Sequence, residues 1–303
     1  MGMIRFDEDE HHFFLEKTAD KSKALEYPLS VSLQVTRECN LKCVYCSEVG
    51  EIPTPSLENI RVMVSNLKGV KRIILTGGEP LIRRDIFQIT DYVKNMGFEV
   101  ISIATNGVLI SSYIAKKLKS NINYFDVTID GTRKIHNKIR GCYDEIINGI
   151  CILRNFGIPF SIVTVLYDEN VQNILYMCQI ADVLGARKLK ILTPINKGRG
   201  KDIINRSLTS KQLLDVFTKI RNEKEQNGWT PRITLVDWDK VGEGHVLLIH
   251  PNGDVAASPV PSKENCVHIV GNVLENNIKD VWDNYPYKDN HLRKYVEESL
   301  YVC

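Results

Sequence analysis

The sequence predicts an α/β fold built on a parallel sheet, and three observations carry that expectation. Short apolar, β-branched runs recur at intervals of roughly 25–40 residues. Amphipathic stretches with helical spacing lie between them. There are six such strand–helix units, fewer than the eight that close a TIM barrel. Strand–helix alternation of this kind implies parallel strands joined by right-handed crossovers.

The elements follow in order. The first strand is expected over residues 31–36, and Leu57, Ile60, Val64 and Leu67 then share one helical face. The second strand, 72–75, leads to a helix marked by Ile86, Ile89, Tyr92 and Val93. Strands three and four are 100–104 and 124–129. Ile146, Ile150, Leu153 and Phe156 mark a helix that Gly157 stops, as glycine often does past a helix end. Strand five is 160–166. Ile174, Met177, Ile180, Val183 and Leu184 mark the helix after it, ending at Gly185, and strand six is 189–192. After about residue 200 the pattern changes. Residues 207–227 read as a helix with Leu213, Leu214, Val216, Phe217 and Ile220 on its apolar side. Short strands follow at 233–236, 245–249 and 255–257, the last two joined by the turn Pro251-Asn252-Gly253-Asp254. The chain thus divides into an N-terminal extension (1–30), a core (31–205) and a small α+β cap (206–303). The extension is too short for a peptide-binding domain of usual size.

Composition sets the class. The chain has 303 residues, 43% hydrophobic and 25% charged, as in ordinary soluble globular proteins. A net charge of +2 gives no electrostatic reason to expect a nucleic acid or membrane partner. No apolar run approaches the ~18–20 residues of a membrane span. The acidic N-terminus has no secretory h-region, so a reducing cytoplasm is expected. Eight cysteines in such a chain point to metal binding or catalysis, not disulfides.

Cys39, Cys43 and Cys46 follow strand one with C-x3-C-x2-C spacing and no fourth cysteine or histidine nearby. Three thiolates can hold three irons of a [4Fe–4S] cube and leave the fourth open, whereas fully ligated clusters and structural zinc use four ligands. A zinc knuckle or free surface thiols is the bland reading. Arg37 and Lys42 in the same loop favour deprotonated sulfur. Thr76-Gly77-Gly78-Glu79-Pro80 closes strand two, Thr105-Asn106-Gly107 strand three, and Thr128, Asp130 and Gly131 strand four. In parallel α/β folds ligands bind at these carboxyl ends.

The cysteine spacing with the Gly-Gly-Glu-Pro run resembles the radical S-adenosylmethionine (SAM) superfamily. That resemblance implies a partial (β/α)6 barrel, one [4Fe–4S] cluster on Cys39, Cys43 and Cys46, and SAM bound at the open iron. It implies Tyr45 against the adenine, and Gly77, Gly78, Glu79 and Pro80 along the methionine end, with Glu79 facing the amino group. Thr105 and Asn106 fall on the same rim. Thr128 and Arg140 match positions that hold the ribose and carboxylate. Asp130 is either part of this pocket or only a turn residue. The chemistry implied is reductive SAM cleavage, driven by an external donor of flavodoxin or ferredoxin type, to a 5′-deoxyadenosyl radical that takes hydrogen from substrate.

Residues 249–255, 271–273 and 278–282 resemble a SPASM domain, which holds auxiliary clusters. Its cysteines are mostly missing here: Ala256-Ala257-Ser258-Pro259 stands where one would follow the strand, and only Cys266 and Cys303 lie in the tail. The expectation is a cluster-free cap over the barrel mouth. Cys266 either packs or returns a hydrogen atom to a substrate radical. Cys142, Cys151 and Cys178 are expected in the core. Lys197-Gly198-Arg199-Gly200 lines the substrate mouth or is a solvated connection. His136 and His245 are expected to be structural or solvent-facing. SPASM-type tails suggest a ribosomally made peptide as substrate. The rival is a small molecule of cofactor biosynthesis, such as a sugar, nucleoside or tetrapyrrole. A third reading, a non-catalytic Fe–S sensor, has no need for Glu79, Asn106 and Arg140.

Overall fold

A computed structural model describes residues 2–7, 12–17, 26–50, 52–237, 246–258, 267–286 and 300–303. Strands β1 (Gly2–Asp7) and β2 (His12–Lys17) pair antiparallel in a sheet of their own. The main sheet starts from β3 (Ser30–Thr36) and runs through β4 (Arg72–Gly77), β5 (Val100–Thr105), β6 (Tyr124–Thr128), β7 (Phe160–Val165) and β8 (Lys188–Leu192), all parallel. These are the six expected strands, each within one or two residues of its expected bounds. Helices α1 (Leu57–Ser65), α2 (Ile86–Asn95), α3 (Ser112–Leu118), α4 (Arg133–Ile139), α5 (Tyr143–Asn155) and α6 (Ile174–Leu184) fill the crossovers. The result is the mostly parallel α/β sheet of a partial barrel.

Local chemistry sets the helix ends. Ser56 and Ser111 cap α1 and α3 through their hydroxyls, and Gly185 ends α6 in the left-handed region that glycine tolerates. The alternation of each strand then sorts side chains by face. Ile73, Leu75, Ile101, Ile103, Phe125 and Val127 are buried in the main apolar core beneath the helices. The opposite face is more polar: Ser30, Gln34, Ser102, Asp126 and Ser161 are buried there, while Ser32, Ile74, Thr76, Ala104, Thr128 and Val163 are half-exposed.

The segment after residue 206 lengthens this sheet at both edges. Helix α7 (Ser210–Asn227), opened by a Thr209–Gln212 capping box, leads to β9 (Arg232–Val236), parallel to β8. Strand β10 (Val246–Ile249) crosses to the far edge and pairs parallel with β3, followed by antiparallel β11 (Asp254–Ser258) and β12 (Ile269–Asn272). Helix α8 (Ile278–Asp283) buries Trp282 completely, and β13 (Leu300–Val302) pairs antiparallel with β9. Gly271 and Asn272 close β12. Among the described residues no helix is long and apolar enough to cross a membrane.

Two cysteine expectations change. Cys178 is buried on α6, but Cys142 is half-buried and Cys151 exposed. Cys151 lies one residue past the buried Ile150 on α5, a rotation that turns it to solvent. Cys266 and His245 lie outside the described residues.

Candidate functional site

The carboxyl ends of β3 to β6 bring most of the expected residues together. The loop after β3 carries the three cysteines, of which Cys43 is buried, Cys46 half-buried and Cys39 exposed. Gly77 and Gly78 lie against this loop's backbone. A Cβ on Gly77 would stand 2.1 Å from the Thr36 carbonyl oxygen, and one on Gly78 would stand 2.2 Å from that of Glu38. Gly77 also adopts φ of 146°, a conformation that suits glycine. The backbones join where the Gly78 N–H donates to Thr36 O at 2.8 Å and the Glu79 N–H to Glu38 O at 2.7 Å. The glycines are therefore required by contact between two protein segments, whatever lies beyond them.

Glu79 is fully buried. Its Oε1 accepts from the Leu81 N–H at 3.0 Å and the Thr105 hydroxyl at 2.8 Å, and its Oε2 accepts from the Asn106 N–H at 2.7 Å. Burial still pushes its pKa up, against those three bonds and the charge of Arg140. Pro80 opens the short 3-10 turn that Glu79 caps. Asn106 passes the connection on: its Nδ2 donates to Asn40 Oδ1 at 2.7 Å and lies 3.9 Å from Cys39 Sγ.

On the other side, Tyr45 donates its hydroxyl to Asp130 Oδ2 at 2.5 Å and accepts from Arg140 Nη1 at 2.5 Å. Asp130 also accepts from the Thr164 hydroxyl and the Val165 N–H, and lies 3.6 Å from Arg140. Arg140 Nε is buried with no acceptor among the described residues. Burial opposes the guanidinium charge, but Tyr45, Cys43 and Asp130 outweigh it and keep Arg140 protonated. His136 is buried and pinned between the Asp130 N–H and the Gly141 carbonyl. Burial drives its pKa down to about 4, so it is a neutral structural histidine. Thr128 ends β6 and is itself half-exposed.

Electrostatics at the thiols differ from the sequence expectation. Burial raises Cys43 to about 11, only partly offset by Arg140, with Asp130, Cys46 and Cys39 adding to the rise. Cys39 is raised too, by burial first and then by the charges of Glu79 and Cys46. Arg37 faces Gln34, Glu48 and His250 instead of a thiol. Among the described residues no three His, Cys, Asp or Glu side chains converge closely enough for a single ion. The three thiols are nonetheless near enough to oppose one another's ionisation. Three thiols close enough to feel one another's charge suit a shared iron–sulfur cluster. The orphaned Arg140 Nε beside Tyr45 suits an anionic group of a bound cofactor.

Several functional contacts were not read from the sequence. The 197–200 run, half-buried up to Arg199 and buried at Gly200, packs against the cysteine loop. Arg199 donates Nε to Cys43 O at 2.8 Å and its backbone N–H to Cys46 O at 2.9 Å, while a Cβ on Gly198 would meet Cys46 O at 2.6 Å. Backbone acceptors leave no mark on a sequence, so nothing flagged this brace. Arg83 was missed likewise; its Nη1 donates to the carbonyls of Val35 and Pro55, anchoring the end of β3.

Comparison with known proteins agrees with this geometry. Residues 33–180 match the family described as Radical SAM superfamily. The chain is 32% identical over 187 residues to the AdoMet-dependent heme synthase of Methanosarcina barkeri, covering 58% of this chain and 53% of that one. It is 33% identical over 177 residues to a probable GTP 3′,8-cyclase of Methanopyrus kandleri, covering 55% and 57%. The chain thus spans little more than half the length of these relatives. By structure it is similar to Streptococcus suis SuiB bound to its precursor peptide SuiA, with a TM-score of 0.71 at 16% identity over 89% of this chain and 68% of that one.

Proposed function

We propose, from the premise that residues 33–180 are a radical SAM domain, that this chain is a cytoplasmic enzyme holding one [4Fe–4S] cluster on Cys39, Cys43 and Cys46. With an electron from a flavodoxin- or ferredoxin-type donor, the cluster with bound SAM supplies reductive cleavage and hence a radical that takes hydrogen from substrate. The observation that carries this reading is the convergence on one rim of three thiols, buried Glu79 and the Tyr45–Asp130–Arg140 group. Each residue has a job there. Glu79, with its remaining lone pair, accepts from the SAM amino group. Arg140 Nε offers its unused donor to the SAM carboxylate, Thr128 offers a hydroxyl to the ribose, and Tyr45 offers its ring to the adenine. Thr105 and Asn106 hold Glu79 in place, and Gly77, Gly78 and Pro80 shape the segment that carries it.

For substrate, we read first a ribosomally made peptide. The likeness to SuiB, extending over 89% of this chain, takes in the tail as well as the barrel. In this reading the tail 206–303 completes the substrate pocket, and Cys266 is either a packing residue or a hydrogen-atom donor. A small cofactor-type substrate is the second reading. What favours it is that the sequence relatives at 32% and 33% identity are named for heme synthesis and GTP cyclisation.

Reduced, reconstituted protein should release 5′-deoxyadenosine and methionine from SAM. Glu79→Gln should weaken SAM binding by about tenfold or more, the loss expected when a hydrogen bond to a charged group goes. Unchanged affinity would make Glu79 only the cap of the 3-10 turn. Offering deuterated peptide, tetrapyrrole and nucleotide in turn, and following deuterium into 5′-deoxyadenosine, separates the substrate readings.

A further inference from the structure

Parallel pairing of β10 with β3 sets Ile249 opposite Leu33 and so brings His250 beside Gln34. The turn after β10 is built firmly. The Gly253 N–H donates to His250 O, the His250 N–H to Asp254 O, and Asn272 Nδ2 donates to both Asn252 O and Asp254 Oδ1. His250 is 6% exposed. Its Nδ1 lies 3.0 Å from Gln34 Oε1 and 3.1 Å from Arg37 Nη2. A neutral imidazole serves the first with an N–H or the second with a lone pair, so either tautomer bonds to the Gln34–Arg37 pair.

Arg37 ties the start of the cysteine loop to its far side. From just before Cys39 it donates Nε to Gln34 Oε1 at 3.1 Å and Nη1 to Val49 O at 3.1 Å, and it pairs with Glu48 at 3.3 Å. Glu48 in turn holds Lys197 at 2.7 Å.

We infer that His250 is a positioning residue for the cluster loop: the β10–β11 hairpin docks it onto Arg37 and Gln34, and hairpin docking and cluster binding stabilise each other. This rests on the cluster assignment above. The coupling is reciprocal by thermodynamic necessity: what holds the loop in its cluster-binding shape is itself held by the cluster. The tail then contributes to the cluster without supplying a ligand to it.

The test compares His250→Ala, His250→Asn and His250→Gln after anaerobic reconstitution. Asparagine places a polar atom where Nδ1 stands; glutamine reaches toward the Nε2 position. Iron release to a chelator should be about tenfold faster in His250→Ala and His250→Gln, as for loss of a hydrogen bond to a charged group. His250→Asn should stay within about twofold of the parent. Amide exchange over residues 246–257 should slow when the parent is loaded with cluster, a readout that needs no variant to fold. Equal iron release in parent and His250→Ala, equal rescue by asparagine and glutamine, or exchange indifferent to loading would each overturn the inference. Failure of the parent itself to bind iron would instead overturn the cluster assignment.

Discussion

Asp130→Ala should destabilise the chain by about 3–5 kcal/mol, the usual result of removing one partner of a buried ion pair. Asp130 is fully buried, and its carboxylate meets Tyr45, Thr164, Val165 and Arg140 at once. Without it Arg140 keeps its charge in a site 8% exposed, with the Tyr45 oxygen as its remaining hydrogen-bond acceptor among the described residues. Asp130→Asn should cost less, about 1.5–3 kcal/mol, because the amide oxygen can still accept from Thr164 and Val165. Urea unfolding at neutral pH measures both. An Asp130→Ala variant within about 1 kcal/mol of the parent would mean that solvent already screens the group. Asp130 would then be only the turn residue that the sequence allowed.

Gly78→Ala should remove most of the bound iron. The added methyl would stand 2.2 Å from Glu38 O and 2.6 Å from Arg37 O, two backbone atoms of the loop that carries Cys39. Overpacking of this kind costs about 1–3 kcal/mol or more. Confined to the cysteine loop, that corresponds to a loss of about fivefold or more in cluster affinity. The measurement is iron per chain after anaerobic reconstitution, with circular dichroism to show that the barrel has folded. Parent-level iron would mean that the loop can move away without cost.

The parts of this fold that were legible are those with a local signature. Strand runs and helical faces repeat with fixed periods, so six strands could be placed to within one or two residues. The cysteines and Gly77-Gly78-Glu79-Pro80 were legible because chemistry fixes their spacing. Their partners were less so. Gly77 and Gly78 read as a ligand cradle, yet their close neighbours are carbonyls of Thr36, Arg37 and Glu38; both demands select glycine, and sequence cannot separate them. Arg37 read as a cation for the thiols, while the residue whose charge lowers Cys43 is Arg140, 97 positions away in the chain and joined to it only by the fold. The pairing of β10 with β3 lay beyond reach for the same reason. A strand of four residues carries no record of which edge it will meet. The turn that presents His250 was read correctly as a hairpin, but its partners Gln34 and Arg37 stand more than two hundred positions earlier.

The most direct measurement is the iron content and SAM cleavage of the anaerobically reconstituted chain, set beside a variant with Cys39, Cys43 and Cys46 all changed to alanine. The account predicts about four irons per chain and release of 5′-deoxyadenosine under reduction for the parent, with both lost in the triple variant. Iron retained by the triple variant, or a loaded parent that leaves SAM intact, would contradict it.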